Sequence, residues 1–165
     1  MNIKHDTRYF GILNRQLQTY INLAFKELDL DYWECIFMVN LYDNEGINQE
    51  KLSSILLIDK SITTKTINSL VNKGLIIRKV CEKDKRAKNL YISDKGKEYK
   101  EQIIYLIEKW IDYISDGIDK ETQEFVLNKL RIMAEKARDA DFDWILQMKA
   151  DCRNQDPSNN KPILL

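Results

Sequence analysis

Hydrophobic residues recur at steps of three and four along much of the chain, which is the period of amphipathic helices. The first stripe predicts a long helix over residues 6–28, and its members are Phe10, Leu13, Leu17, Ile21, Ala24 and Leu28. Asp31 is a candidate N-cap for a second helix, and Glu34 three positions later completes a capping box. Residues 44–46, Asn-Glu-Gly, are expected to end that helix as a loop.

Two short helices separated by two or three residues are predicted next. Asn48 is expected to cap the first helix, and Asp59 the second, which runs to about Lys73. Gly74 stands where a left-handed residue commonly ends a helix, because glycine has no Cβ to clash there. Two short helices joined this closely are typical of a helix-turn-helix motif.

The pattern then changes from helical to extended. Residues 75–81 and 90–93 are predicted to be strands, and residues 82–89 form a polar connection between them. This arrangement predicts a long β-hairpin. Its tip is mostly basic, with the four cations Lys83, Lys85, Arg86 and Lys88.

The last third returns to the helical period, after a cap at Ser93 or Asp94. One broad apolar face consists of Tyr99, Ile103, Leu106, Trp110 and Ile114, widened by Ile104, Ile107 and Ile111. A face this wide predicts two packing partners, and one of them could be another subunit. Asp119 is expected to start a further helix that continues to about Leu146, followed by an extended tail over residues 151–165.

Charges cancel over the whole chain but not within it. There are 26 Lys and Arg against 26 Asp and Glu. Residues 48–100 hold 13 of the cations and 6 of the acids, so this stretch carries +7 and the remainder −7. A basic segment inside acidic flanks indicates a binding site for a polyanion on one face.

The helix after Asp59 has two faces of different chemistry. At 100° per residue, one side collects Thr63, Ile67, Leu70 and Gly74, which are expected to face the core. The opposite side has no acidic residue, and it consists of Ser61, Ile62, Lys65, Asn68, Ser69 and Asn72. Short hydrogen-bonding groups with a cation suit the major groove of DNA, and the alternative is a plain polar face in a helical bundle.

Several of these side chains have an expected partner on DNA. Asn68 can bond an adenine edge, Lys65 a guanine edge, and Ile62 can touch a thymine methyl group. Backbone N–H groups near the helix start attract phosphate. The side chains expected beside that phosphate are Lys60, Ser61 and Thr64.

The cationic tip of the hairpin is placed to reach a minor groove beside this helix. Arg86 is the leading candidate, because a narrow minor groove concentrates negative potential. Asp84, two positions earlier, can pair with that guanidinium and set its direction. Taken alone, the hairpin has a solvated charged turn as its alternative interpretation.

Residues 47–98 resemble the MarR family of winged helix-turn-helix transcriptional regulators. The matching segments are residues 48–52, 61–65, 70–78, the Asp-Lys-Arg element at 84–86, and residues 93–96. The Asp-x-Arg element is the most specific of these. Ser53 and Leu57 depart from the family, which usually has alanine and often glycine there, so the turn is expected to be tighter-packed or shifted.

The resemblance implies a mainly α fold, with a three-helix core, a β-hairpin wing and long dimerisation helices at both ends of the chain. The implied DNA-binding domain is 31–97, and the dimerisation region is 1–30 with 98–150. The implied function is a homodimeric, sequence-specific repressor on a pseudo-palindromic DNA operator. Its DNA-reading positions would be Lys60, Ser61, Ile62, Thr64, Lys65 and Asn68, with Arg86 in the minor groove.

Many members of the family are released from DNA by small aromatic effectors. Trp33, Phe37 and Trp110 are the candidate lining of such a pocket, and their alternative role is simply in the core. Other members sense oxidants through a cysteine near the start of the first long helix, where this chain has none. Its own cysteines, Cys35, Cys81 and Cys152, are therefore weaker candidates for sensing.

No enzyme, cofactor or metal site is indicated. His5 is the single histidine, the cysteines lack zinc-ligand spacing, and a Gly-rich phosphate loop is absent from the sequence. The longest apolar runs, five residues at 35–39 and at 103–107, are far shorter than the roughly 20 residues of a membrane span. We expect a soluble cytoplasmic protein that does not bind membranes. A module that docks a protein partner is the alternative function.

Overall fold

A computed structural model describes residues 3–80 and 88–147, with side chains from residue 7 onward. Its elements are α1 (Ile3–Ala24), α2 (Tyr32–Asp43), α3 (Gln49–Leu56), α4 (Lys60–Asn72), β1 (Ile76–Val80), β2 (Lys88–Ile92), α5 (Asp94–Glu98), α6 (Lys100–Ile114) and α7 (Lys120–Arg138). This order confirms the prediction of a mainly α, winged helix-turn-helix fold. The chain divides after Gly117 into two compact units.

The core of the first unit is built from the apolar stripes that the sequence pattern predicted. Its largest fully buried side chains include Phe25, Phe37, Leu41, Leu52, Ile67, Leu70, Leu90 and Ile103. They come from helices before, within and after the helix-turn-helix motif and from the hairpin. Removing these side chains from water is the main force that holds α4 against the other helices.

Most predicted helix signals take the expected geometry. Asp31 Oδ1 accepts a hydrogen bond from Glu34 N at 2.8 Å, and Glu34 Oε2 accepts one from Asp31 N at 2.9 Å, which completes the capping box. Asn48 caps α3 through its side chain, and Gly74 after α4 has a φ of 72°. Asp59 precedes α4 as predicted, but its side chain makes no capping bond.

Two predicted helix boundaries are wrong. The first helix does not continue to residue 28, because it ends at Ala24 and residues 26–28 tighten into a 3-10 turn. Phe25 is fully buried, and its carbonyl oxygen accepts hydrogen bonds from Leu28 N and Leu30 N. Burying Phe25 therefore turns the chain toward α2.

The helix predicted from Asp119 to Leu146 is interrupted. α7 ends at Arg138, and residues 142–147 form helix again after Asp141 caps them through a 3.0 Å bond from Trp144 N. Aspartates in this segment favour a cap over helix continuation, because their side chains bond nearby backbone N–H groups.

The turn between α3 and α4 accommodates both departures from the family pattern. Leu57 takes the left-handed conformation, with a φ of 50° and a ψ of 43°. A non-glycine residue there costs about 1–2 kcal/mol. Ser53 offsets part of this cost, because its hydroxyl donates a 2.6 Å bond to the Ile58 carbonyl oxygen. Alanine at position 53 could not make this bond.

The hairpin is antiparallel, with Ile76 opposite Ile92 and Val80 opposite Lys88. Lys88 was predicted in the hairpin tip, but it is the first residue of β2. β2 is also paired on the side away from β1, because the Leu90 N–H donates a hydrogen bond to the Ile47 carbonyl oxygen at 2.8 Å. This pairing ties the loop before α3 to the hairpin and fixes the base of the wing.

α7 belongs to the second unit, and over its whole length it has no buried residue. Its large exposed apolar side chains are Phe125, Val126, Leu127, Ile132 and Met133. Neither α7 nor any other helix in the described ranges is long and apolar enough to cross a membrane.

Candidate nucleic-acid interface

α4 presents one open face that contains no acidic side chain. The residues lining a shallow concavity along this face are Lys60, Ser61, Thr64, Lys65, Asn68, Ser69 and Asn72. All of them except Ser69 are exposed. On the opposite side Thr63, Ile67 and Leu70 are buried as predicted, while Gly74 is exposed at the helix end.

Two residues of the predicted reading face are less available than expected. Ile62 is only half-exposed. Ser69 is also half-buried, because its hydroxyl donates a 2.6 Å hydrogen bond to Glu34 Oε1 on α2. Ser69 therefore lies at the open face as predicted, but its hydroxyl is already bonded to α2.

Glu34 anchors the C-terminal half of α4 to the start of α2. Glu34 is only 2% exposed as a residue, and its carboxylate accepts bonds from Ser69 and, at 2.8 Å, from Lys73 Nζ. Burial alone would lower the pKa of Lys73, but its bond to Glu34 and the charges of Glu34 and Asp29 raise that pKa overall. The ammonium group of Lys73 thus stays charged and paired.

The start of α5 holds the other side of the α4 C-terminus. Ser93 Oγ donates to the Gly74 carbonyl oxygen at 2.6 Å, and Ser93 N donates to the Leu75 carbonyl oxygen at 3.0 Å. Lys95 Nζ donates to the Lys73 carbonyl oxygen at 2.9 Å. Carbonyl groups at a helix end lack partners within the helix, so these bonds both satisfy them and fix the helix direction.

Two further contacts shape the open face, and neither was predicted. Gln49 Nε2 on α3 donates to Thr64 Oγ1 at 2.7 Å. Arg78 Nη2 on β1 donates to Asn68 Oδ1 at 2.6 Å. The only available signal was that both residues lie in elements adjacent to α4, and their reach to specific side chains depends on how those elements pack.

The described part of the wing carries further cations. Lys88 is exposed on β2, and Lys79 Nζ lies 4.8 Å from the centre of the Tyr91 ring. Lys83, Asp84, Lys85 and Arg86 lie outside the described residues, so their roles stay predictions.

Comparison with known proteins matches this geometry to one family. The sequence model of the MarR family matches residues 37–88. The crystal structure of a MarR transcriptional regulator from Methanosarcina mazei is 30% identical in sequence, with a TM-score of 0.76. The match covers 80% of this chain and 95% of that one. The chain belongs to the MarR family.

Two other relatives extend the match. A MarR family transcriptional regulator from Listeria monocytogenes, solved in complex with a 26mer DNA, is 31% identical with a TM-score of 0.76, covering 87% of this chain and 93% of that one. The HTH-type transcriptional regulator YybA of Bacillus subtilis is 34% identical over 91 residues. That alignment spans 55% of this chain and 61% of YybA. The chain is thus a transcriptional regulator of the MarR type.

In this MarR-family chain, Cys35 is a core thiol. It is fully buried in α2, and burial raises the pKa of the thiol to about 12. A thiolate is the reactive form of cysteine, and such burial suppresses it. Cys81 and Cys152 lie outside the described residues.

A variant with Cys81→Ser and Cys152→Ser, which retains only Cys35, should resist thiol reagents. At pH 8 a thiol with a pKa of about 12 is ionised in roughly one molecule in ten thousand. We expect Ellman's reagent to react only after denaturant is added. Reaction of the folded variant at the rate of free cysteine would contradict the buried position.

The three candidate effector residues lie in different surroundings. Phe37 is fully buried in the core. Trp110 stacks on Tyr20 with ring centres 5.2 Å apart, and Trp33 meets Tyr32 edge-on at 5.0 Å. Two concavities in the described part of the chain, one along α4 and one between the ends of α1 and α4, are lined by other residues. An aromatic effector pocket therefore stays a prediction.

Proposed function

We propose that this MarR-family protein binds duplex DNA as a homodimer and represses transcription from the operator it occupies. The observation that carries the proposal is the exposed, acid-free face of α4. An ordinary solvated helix would more often alternate acids with bases at neighbouring turns. A helix that enters the major groove needs short polar groups and a cation close to the base edges.

The start of α4 suits a phosphate. Its first turn contains Lys60 and Ser61 and has no acidic residue. Free backbone N–H groups and the positive end of the helix dipole both attract an anion at this point. Phosphate contacts at the helix start would set the position of α4, while Lys65 and Asn68 farther along would read bases.

The Listeria monocytogenes relative in complex with DNA supports the same use of this chain. By analogy we assign the wing to the adjacent minor groove. Lys83, Lys85 and Arg86 would contact the DNA there, with Lys88 beside them on β2. Asp84 would orient Arg86, as the Asp-x-Arg spacing suggests.

A homodimer would cover apolar surfaces that are open in the single chain. α1 exposes Tyr9, Phe10, Ile12 and Leu13, and α6 exposes Ile104, Tyr105, Tyr113 and Ile114. Contiguous apolar patches on a soluble protein mark interaction sites. We assign dimerisation to residues 1–30 and 98–150, and DNA binding to 31–97.

A small aromatic effector would have to bind beside Trp33 or Trp110, because both are partly exposed whereas Phe37 is enclosed by the core. The proposed site of action is the cytoplasm, where the operator DNA lies.

The proposal is tested by selecting bound sequences from random duplex DNA. We expect a two-fold symmetric motif with half-sites about 10 bp apart, which is one helical turn. Light scattering should give a dimer with and without the selected DNA. A monomer that enriches no sequence, yet binds an acidic protein, would instead support a protein-docking module.

Lys65→Ala should weaken operator binding by about 1–3 kcal/mol and relax the base preference at one position in each half-site. The reason is that Lys65 lies in the middle of the exposed α4 face. Affinity is measured on the selected operator and on operators changed at single positions. Lys97→Ala, an exposed lysine on α5 that is outside both the α4 face and the proposed dimerisation region, is the control and should leave both unchanged. Equal effects of the two substitutions would refute the assignment of α4.

A further inference from the structure

We propose that Arg78 is a positioning residue that orients the Asn68 amide so that Asn68 prefers guanine to adenine at its base pair. The inference rests on the proposed DNA-binding function. It differs from the expectation, drawn from the sequence alone, that Asn68 bonds an adenine edge.

The contact itself is short and charge-assisted. Arg78 Nη2 donates to Asn68 Oδ1 at 2.6 Å, and both residues are exposed. Hydrogen bonds from a charged donor are stronger than neutral ones. The bond links β1 directly to the open face of α4.

The chemistry of arginine determines which way the amide points. A guanidinium group has only donors, so the amide atom beside it must be the oxygen. The opposite orientation would set the amide NH₂ against another donor. Holding Oδ1 toward β1 turns Nδ2 away from the strand, and within the described residues Nδ2 has no hydrogen-bond partner.

Arg78 is held in place by the hairpin. Its register partner on β2 is Leu90, which is buried and which also pairs with Ile47 on its other edge. The core therefore fixes the backbone at Arg78. Because that backbone is already ordered, only the conformational entropy of the Arg78 side chain is lost when it orients Asn68.

An oriented amide has a predictable base preference. Asparagine normally reads adenine with its oxygen accepting from N6 and its nitrogen donating to N7. The amide oxygen has two lone pairs, and a charged donor held on one of them weakens its ability to accept from N6, whereas both N–H donors stay available. Guanine offers the matching pair of acceptors, N7 and O6, in the major groove.

The test compares Arg78→Lys with Arg78→Gln by selection from random duplex DNA. Lysine has only donors, as arginine has, so it should preserve the orientation of Asn68 and the guanine preference. Glutamine can donate or accept, so it lets the amide turn. We expect the preference at that position to fall from roughly tenfold to about twofold in Arg78→Gln. Selection with the Asn68→Ala variant independently identifies the base pair that Asn68 contacts.

The readouts separate this role from others. In an Asn68→Ala background, Arg78→Gln should cause no further change at that base pair. A role limited to phosphate contact would flatten the salt dependence and leave the base preference intact, and that result would overturn the inference. So would an adenine preference at the Asn68 position. If the protein enriches no DNA sequence at all, the proposed function and this inference both fail. If Arg78→Gln selects the same motif as the unsubstituted protein, only this inference fails.

Discussion

Gly96→Ala should destabilise the protein by about 3 kcal/mol, which is a large share of the stability of an ordinary domain. A Cβ at Gly96 would overlap the Leu75 carbonyl oxygen and would lie 2.9 Å from Ile92 Cγ2. The Leu75 oxygen is backbone and already accepts from Ser93 N, so it cannot move without breaking the link between α5 and the end of α4. Urea denaturation should show a lower midpoint with an unchanged slope.

Gly74→Ala is the matched control, because it separates crowding from backbone strain. Gly74 has a φ of 72°, but a Cβ there meets nothing within 4 Å. Its cost should be about 1 kcal/mol, from the left-handed conformation alone. Similar losses in the two variants would show that close packing at Gly96 is not the cause.

Lys73→Met should lower the free energy of unfolding by about 2–3 kcal/mol. It removes the cation from Glu34, whose side chain is only 3% exposed. Breaking a buried ion pair by removing one partner costs about 3–5 kcal/mol, and the 25% exposure of the Lys73 side chain reduces that figure. The control is Lys97→Met, because Lys97 pairs with Asp94 at 3.1 Å on an exposed surface, where such a pair contributes about 0–1 kcal/mol.

Two measurements test the explanation for Lys73. In a double variant, Glu34→Leu should recover part of the stability that Lys73→Met loses, because no unpaired carboxylate remains. The second is alkaline pH. The folded-state pKa of Lys73 is raised, so its pairing contributes fully below the ordinary lysine pKa and is lost as the pH rises above that value. The difference in the free energy of unfolding between the unsubstituted protein and Lys73→Met should therefore shrink above about pH 10.5. A difference that grows there would contradict the pairing.

Both sites also bear on DNA binding, because they hold the same end of α4. Glu34 and Lys73 tie it to α2, and Ser93 ties it to the start of α5. α5 is in turn held to α2, because Tyr42 donates a hydrogen bond to the Gly96 carbonyl oxygen. Catalytic and binding surfaces need side chains held within about 0.5 Å. Variants that loosen these contacts should lose operator affinity at temperatures where they are still folded.

Much of the fold could be predicted because its signals are local. The capping box of Asp31 and Glu34, the cap at Asn48 and the left-handed Gly74 depend on residues within a few positions of each other. The buried face of α4 follows from helical geometry alone. The end of α1 was missed because packing with distant residues buries Phe25 and so competes with the local pattern. The end of α7 was missed because the apolar spacing continues past the aspartates that interrupt the helix.

By itself the sequence determined the period of each element, the uneven charge, the acid-free face of α4 and the resemblance to the MarR family, because each depends on residue type and short spacing. Only the tertiary structure decided that Ser69 faces Glu34, 35 positions away, and that Arg78 holds Asn68. A helical wheel assigns a side chain to a direction, but it does not say which element lies there. Hydrogen-bond partners are set by packing, and packing brings together residues whose separation along the chain carries no signal.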